Sequence, residues 1–262
     1  MAPRVRYRYA IVNGVRIRYL DYGRGPSILF IHGLGGNIES WIGVLNRMPQ
    51  RYRLVALDLR GFGSSQRPSS IAGIEEFADD VEGLADYLGL GRLMIVGFSM
   101  GGIVGLEAYR RLGEIIEGLV LVSTLHVLPE AMVQISSLLL EKGTRAWEDI
   151  VPRLLYRLRK PSIVSELVRV MSRNDPMYLA GIIEELKGVN YESLLERVDR
   201  EALTIVGDRD EITPPREVSK LASKLSKGRL VIIRDAGHLL PLEAPQELAT
   251  AISEFASKIW RN

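Results

Sequence analysis

The chain has 262 residues, 47% hydrophobic and 25% charged, the size and balance of one large globular domain with a substantial core. Its 34 Lys and Arg stand against 32 Asp and Glu, a net charge of +2, so no strong field favours nucleic acid or an anionic membrane as a partner. Cysteine is absent, which excludes disulfides, thiolate catalysis and Cys-ligated zinc or iron–sulfur sites.

The opening Met1-Ala-Pro-Arg-Val-Arg-Tyr7 has no apolar core of a secretory signal. No stretch approaches the ~18 consecutive apolar residues that span a bilayer. Both observations predict a cytoplasmic protein. From Tyr7 to Gly23 apolar and polar residues alternate on either side of Asn13-Gly14, a strong signal for a hairpin, and hence for an antiparallel edge. The alternation of Arg4, Arg6 and Arg8 reads as one face of its first strand rather than as a binding arm. Short apolar runs follow at Ser27–Ile31, Leu54–Leu57, Leu93–Val96, Leu119–Val122, Leu203–Val206 and Leu230–Ile233. Rich in Val, Ile and Leu and lacking alternation, they predict strands buried on both faces. Helically spaced stretches at Ile74–Leu88, Gly102–Leu112 and Arg216–Leu225 separate most of them, so the sheet is mostly parallel with helices on both sides. Between His126 and Asn190 the pattern is helical throughout, with candidate helices Glu130–Lys142, Thr144–Leu158, Ser162–Ser172 and Met177–Lys187. One crossover does not need this much chain. Residues 126–190 are therefore predicted to form a helical cap, inserted into a core made of residues 1–125 and 191–262.

Gly97-Phe-Ser99-Met-Gly101-Gly102 directly follows the run Leu93–Val96 and opens a helical stretch. A sharp strand-to-helix turn leaves no room for side chains two residues either side of its central serine, and it sets that serine at a helix N-terminus. Neither this segment nor Gly33-Leu-Gly35-Gly36 fits Gly-x-Gly-x-x-Gly, so a dinucleotide fingerprint is absent. A serine nucleophile needs a base, and the chain has 3 histidines: His32, His126 and His238. All three follow predicted strands, and position alone does not choose among them. Three carboxylates, Asp208, Asp210 and Glu211, follow Leu203–Val206 and compete for the role of orienting acid.

Taken together, His32-Gly33, Asp58-x-Arg60-Gly61-x-Gly63-x-Ser65, Gly97-x-Ser99-x-Gly101-Gly102, Gly207-x-x-Asp210-x-x-x-Pro214 and Gly237-His238 followed by Glu243-x-Pro245 resemble the α/β-hydrolase superfamily, in its capped esterase, lactonase and C–C hydrolase branch. The resemblance covers nearly the whole chain except residues 126–190. It implies an eight-stranded, mostly parallel sheet flanked by helices, with the cap inserted after the sixth strand. It implies the chain order nucleophile, acid, base, hence Ser99, Asp210 and His238 as a triad. It also implies an oxyanion hole made by the backbone N–H groups of Leu34 and Met100, and chemistry that needs no metal or organic cofactor. Asp58 to Ser65 matches a structural loop. The expected reaction is acyl transfer on a short- to medium-chain carboxylic ester or lactone, with Leu125, His126 and Leu239 as candidate pocket residues. Enol-lactonase, cofactor-free perhydrolase and C–C hydrolase activities share this triad. Leu239-Leu-Pro-Leu242 after the histidine lacks the aromatic residue frequent in C–C hydrolases, and a small-ligand receptor is a further alternative. Abundant Arg over Lys and scarce Asn and Gln point to a thermophilic source.

Overall fold

A computed structural model describes residues 6–260 of the chain. The chain opens with the hairpin β1 (Tyr7–Val12) and β2 (Val15–Gly23), turning at Asn13 and Gly14, both at positive φ. Arg8 lies on β1 and Arg6 just before it, both exposed, while Arg4 is outside the described residues. Next come β3 (Ser27–Ile31), the short α1 (Ile42–Leu45), β4 (Arg53–Leu57), α2 (Ile74–Leu88), β5 (Leu93–Phe98), α3 (Met100–Leu112) and β6 (Ile116–Val122). Four helices then intervene: α4 (Glu130–Lys142), α5 (Ala146–Leu154), α6 (Pro161–Met171) and α7 (Pro176–Leu186). The chain finishes with α8 (Glu192–Leu195), β7 (Glu201–Gly207), α9 (Pro215–Lys224), β8 (Gly228–Ile233), α10 (Leu240–Glu243) and α11 (Pro245–Ile259).

The strands form one 8-stranded sheet in the order β1-β2-β4-β3-β5-β6-β7-β8. The pairs β1–β2 and β2–β4 are antiparallel and the remaining pairs parallel, so the expected sheet with its antiparallel edge is present. Every residue of β3 and β5 is buried. The reason lies in the period-2 geometry of a strand covered on both faces. Leu29, Ile31 and Ile95 pack in one core with Phe77 and Val81 of α2 and Ile103 of α3. Ile28, Phe30 and Val96 pack on the opposite face with Val44 of α1 and Ile252 and Phe255 of α11.

Two helix limits differ from the sequence expectation. Helix α3 begins at Met100, not Gly102, because Gly101 and Gly102 are helical residues placed for close approach. A Cβ at Gly101 would strike the carbonyls of Ile31 and His32, and one at Gly102 would strike Thr124. The stretch Thr144–Leu158 is also not one helix. A short 3-10 turn at Gly143–Arg145 precedes α5, and Leu155 is extended at φ −113 and ψ 147. The Leu154 carbonyl there accepts the N–H groups of His238 and Leu239, partners far away in the chain. The four-helix insertion leaves and rejoins the sheet through an antiparallel bridge between Val127 and Asn190, and Tyr191 N–H donates to the His126 carbonyl.

The loop after β4 is organised by Asp58, whose side chain is fully buried. Its carboxylate accepts from Arg18 Nε at 2.5 Å and from the backbone N–H groups of Ile38 and Ser64, each at 2.8 Å. Gly63, at φ 55, lies so close that any Cβ there would strike the carboxylate. Asp58→Ala would leave Arg18 Nε and two amides without their acceptor, while the guanidinium keeps its ion pair with Glu39. The substitution is expected to lower unfolding free energy by about 2–4 kcal/mol, the scale of two buried amides left unsatisfied, read by urea denaturation. A loss below about 1 kcal/mol, the scale of exposed pairs, would contradict this account of the loop.

Candidate active site

Ser99 joins β5 to α3 with φ 51 and ψ −121, a conformation that a non-glycine residue rarely adopts. Such strain costs of order 1–3 kcal/mol and persists only where packing dictates it. Gly97 lies directly against Gly101, and neither position has space for a Cβ, so the reversal cannot relax. The side chain of Ser99 is thereby presented away from the sheet, with its Oγ 3.1 Å from Nε2 of His238.

His238 follows β8 in a loop and is 5% exposed. Its Nδ1 lies 3.0 and 2.9 Å from the two carboxylate oxygens of Asp210, which is 3% exposed. A carboxylate only accepts, so Nδ1 carries the proton and Nε2 is left to accept from the Ser99 hydroxyl. Asp210 is itself held by the N–H groups of Ile212 (2.9 Å) and Thr213 (2.8 Å) and by the Thr213 hydroxyl (2.7 Å). Burial alone would raise its pKa. The charge and hydrogen bond of His238 and the bonds from Thr213 outweigh that cost, and the carboxyl is held below its usual range. The other two candidate acids lie elsewhere. Asp208 accepts from Ala236 N–H at 3.3 Å, and Glu211 is exposed, 4.0 Å from Arg159.

Two further peptide groups flank Ser99. A peptide unit is planar, so fixing its carbonyl also fixes the N–H of the next residue in the opposite direction. The Gly33 carbonyl is fixed by His32 Nδ1 at 2.8 Å and by Gly36 N–H at 3.0 Å, which aims Leu34 N–H the other way. His32 is fully buried, and burial pushes its imidazole below the ordinary value despite the opposing pull of Asp58. Its Nε2 accepts from Leu59 N–H at 3.1 Å, which leaves Nδ1 as the donor. The Ser99 carbonyl is fixed by the Thr124 hydroxyl at 2.7 Å and by Gly102 N–H at 2.9 Å, which aims Met100 N–H. Gly33 packs on the serine itself, since a Cβ there would sit 3.1 Å from Ser99 Cβ.

Two cavities lie by this centre, and Ser99 lines the smaller. A pocket of about 20 Å³, room for roughly one water, is lined by Ser99, Met100, Ile103, Leu125 and Met132. A cavity of about 690 Å³ is lined by Leu34, Phe98 and Leu239 on the sheet side and by Leu167, Met171 and Tyr178 of the insertion. Leu125 and Leu239 thus line cavities. His126 lines neither. Its half-buried ring lies near Lys224 and Glu192, and burial, then Lys224, lowers its pKa. Sequence reasoning missed Thr124, Thr213 and Asn174. For Thr213 a signal existed, because Asp-x-x-Thr is the spacing at which an Asp side chain caps the amides of its own turn. Thr124 and Asn174 carried none. Among the described residues no helix is long and apolar enough to cross a membrane.

A family model described as alpha/beta hydrolase fold matches residues 26–245. Among curated proteins the chain is similar to the 2-hydroxy-6-oxo-6-(2'-aminophenyl)hexa-2,4-dienoic acid hydrolase of Metapseudomonas resinovorans, at 27% identity, covering 96% of this chain and 91% of that protein. Among solved structures it is similar to a malate-bound thermophilic esterase from Thermogutta terrifontis, with TM-score 0.87 and 27% identity, covering 97% of this chain and 99% of that one. It is also similar to an enol-lactonase from Burkholderia xenovorans, with TM-score 0.87 and 26% identity, covering 95% and 100%.

The geometry separates the two aspartates sharply. Asp210→Asn is expected to slow reaction of Ser99 with an alkyl fluorophosphonate by about 10³–10⁴-fold at neutral pH, the scale on which triads lose their orienting acid. Asp208→Asn is expected to stay within a few-fold of the parent. The reverse pattern would assign the acid to Asp208.

Proposed function

Because the chain belongs to the α/β-hydrolase fold family, we propose that it is a serine hydrolase that cleaves carboxylic esters through an acyl-enzyme on Ser99. The observation that carries this reading is the continuous hydrogen-bonded line from Asp210 through His238 to Ser99. His238 takes the Ser99 proton through Nε2 as the hydroxyl oxygen attacks the carbonyl carbon. The N–H groups of Leu34 and Met100, aimed by their fixed carbonyls, receive the developing oxyanion. A donor of this kind is worth about 2.7–4 kcal/mol in the transition state, and the N-terminus of α3 adds a favourable dipole. Asp210 stays ionised and stabilises the imidazolium. His238 then returns the proton to the leaving alcohol, and water, activated the same way, releases the acid.

In this reading residues 126–190 are a lid and the rest of the chain a core. The two cavities support a substrate with unequal halves. One substituent of the carbonyl has room for about a methyl group, while the other has a space of about 690 Å³. A second reading is hydrolysis of a carbon–carbon bond beside a ketone, favoured by the named activity of the Metapseudomonas relative.

The test is hydrolysis of p-nitrophenyl esters from acetate to decanoate, with Ser99→Ala alongside. The expected result is turnover strongest for the short acyl groups and a loss on the order of 10⁶-fold in the variant. Turnover that survives Ser99→Ala would overturn the nucleophile. If no ester reacts while a dienoic ketone is cleaved with dependence on Ser99, the second reading replaces the first.

A further inference from the structure

Glu243 ends α10 and is 6% exposed, yet its side chain forms no ion pair among the described residues, and nearby Arg157 pairs with Glu247 instead. A buried carboxylate without a cation must be satisfied by hydrogen bonds. Three backbone amides do this. Oε2 accepts from Gly237 N–H at 2.6 Å, and Oε1 accepts from Tyr156 N–H at 2.7 Å and Leu158 N–H at 3.1 Å. The first amide belongs to the residue before His238. The other two belong to the segment that leaves α5.

That segment holds the histidine loop in two other ways. The Leu154 carbonyl accepts from His238 N–H at 2.9 Å and from Leu239 N–H at 3.2 Å. The Arg157 guanidinium donates to the carbonyls of Asp235 at 2.9 Å and Arg234 at 2.5 Å. The backbone of His238 is therefore fastened to the helical insertion as well as to the sheet. At its other end the insertion fastens the loop that carries Leu34, where Asn174 Nδ2 donates to the Gly35 carbonyl at 3.1 Å.

We propose that Glu243 is a positioning residue, joining the segment 154–158 to the His238 loop so that the imidazole meets Ser99 only while the insertion is docked. The proposal rests on the serine-hydrolase reading above. It gives the insertion a part in assembling the base in addition to walling the cavity. Charge-assisted bonds from three amides make the joint strong and directional. Glutamine has the same shape but only one accepting oxygen. Whichever way its amide turns, an NH₂ group faces an N–H donor, so either Gly237 or the pair Tyr156 and Leu158 loses its acceptor.

The experiment compares wild type, Glu243→Gln and Arg157→Ala in p-nitrophenyl acetate turnover, in the rate of Ser99 labelling by a small fluorophosphonate, and in thermal melting. For Glu243→Gln the expected result is a fall in kcat of about 10- to 100-fold, the range for small misplacements of a reacting group. KM should be nearly unchanged, and labelling should slow by a similar factor. Arg157→Ala should shift both rates in the same direction by less. Its substitution lies at the surface, so it carries the test if Glu243→Gln does not fold. A lowered melting temperature with unchanged kcat and labelling in the folded protein would make Glu243 a structural tether only and overturn the proposal. A raised KM at constant kcat would overturn it too, because Glu243 would then act on the cavity rather than on the base. If the wild type takes no label on Ser99, the serine-hydrolase reading itself fails and this proposal falls with it. Labelling of the wild type with no change in either variant refutes the proposal alone.

Discussion

Ser99 stands in a reversal that the chain can make only because three nearby residues have no side chain. Gly97 lies against the Gly101 carbonyl, Gly101 against the carbonyls of Ile31 and His32, and Gly102 against Thr124. This contact brings the first turn of α3 directly onto the ends of β3 and β6. Once it is made, the neighbouring parts have little freedom. The Gly33 turn packs on the serine, and the Thr124 hydroxyl reaches the Ser99 carbonyl. Leu34 and Met100 then present amides whose directions are dictated by carbonyls already bonded elsewhere. The strain at φ 51 is offset by the close packing around it, not by any local preference of serine.

What was legible in the sequence follows from how local each signal is. Continuous apolar runs such as Leu93–Val96 announce buried strands because covering both faces removes the need for alternation. Ser99 and its glycines were visible because the steric demand and the residues that meet it lie within a few positions of one another. The choice of Asp210 over Asp208 came from a resemblance in spacing, and the physical reason for it appears only in three dimensions. Asp210 is turned inward by Ile212 and Thr213 amides, whereas Asp208 caps the Ala236 amide.

The features that escaped the sequence are long-range. Nothing near Leu155 announces the end of α5. Helix-compatible spacing continues there, but the Leu154 carbonyl is taken by amides more than eighty residues away, at His238 and Leu239. Glu243 was seen as part of a motif with Pro245, yet its partners at Tyr156 and Leu158 lie in the stretch of chain with the least distinctive pattern. His126 lines neither of the two cavities. The end of a strand was a sound place to expect a pocket residue, but its ring lies by Lys224 and Glu192.

These facts separate what the site does from what it does it to. The polar contacts around Ser99 come largely from the sheet's edge and from backbone groups, and solved structures with unlike named activities share the fold that carries them. Helices α6 and α7 add the apolar residues Leu167, Met171 and Tyr178 to a large cavity that Arg18, Glu39 and Arg67 of the core also line. Hydrophobic walls tolerate exchange of one apolar residue for another far more readily than a hydrogen-bonded triad tolerates loss of a partner. Under the proposed serine-hydrolase reading, substrate choice would rest on the cavity walls, those of the insertion among them, and reaction type on the turns around Ser99 that sterics hold nearly fixed. The asymmetry of the two cavities is the first physical mark of that choice. The apolar side of Ser99 is closed by Ile103, Leu125 and Met132 to about one water's room, so the bulk of a substrate would have to occupy the larger cavity.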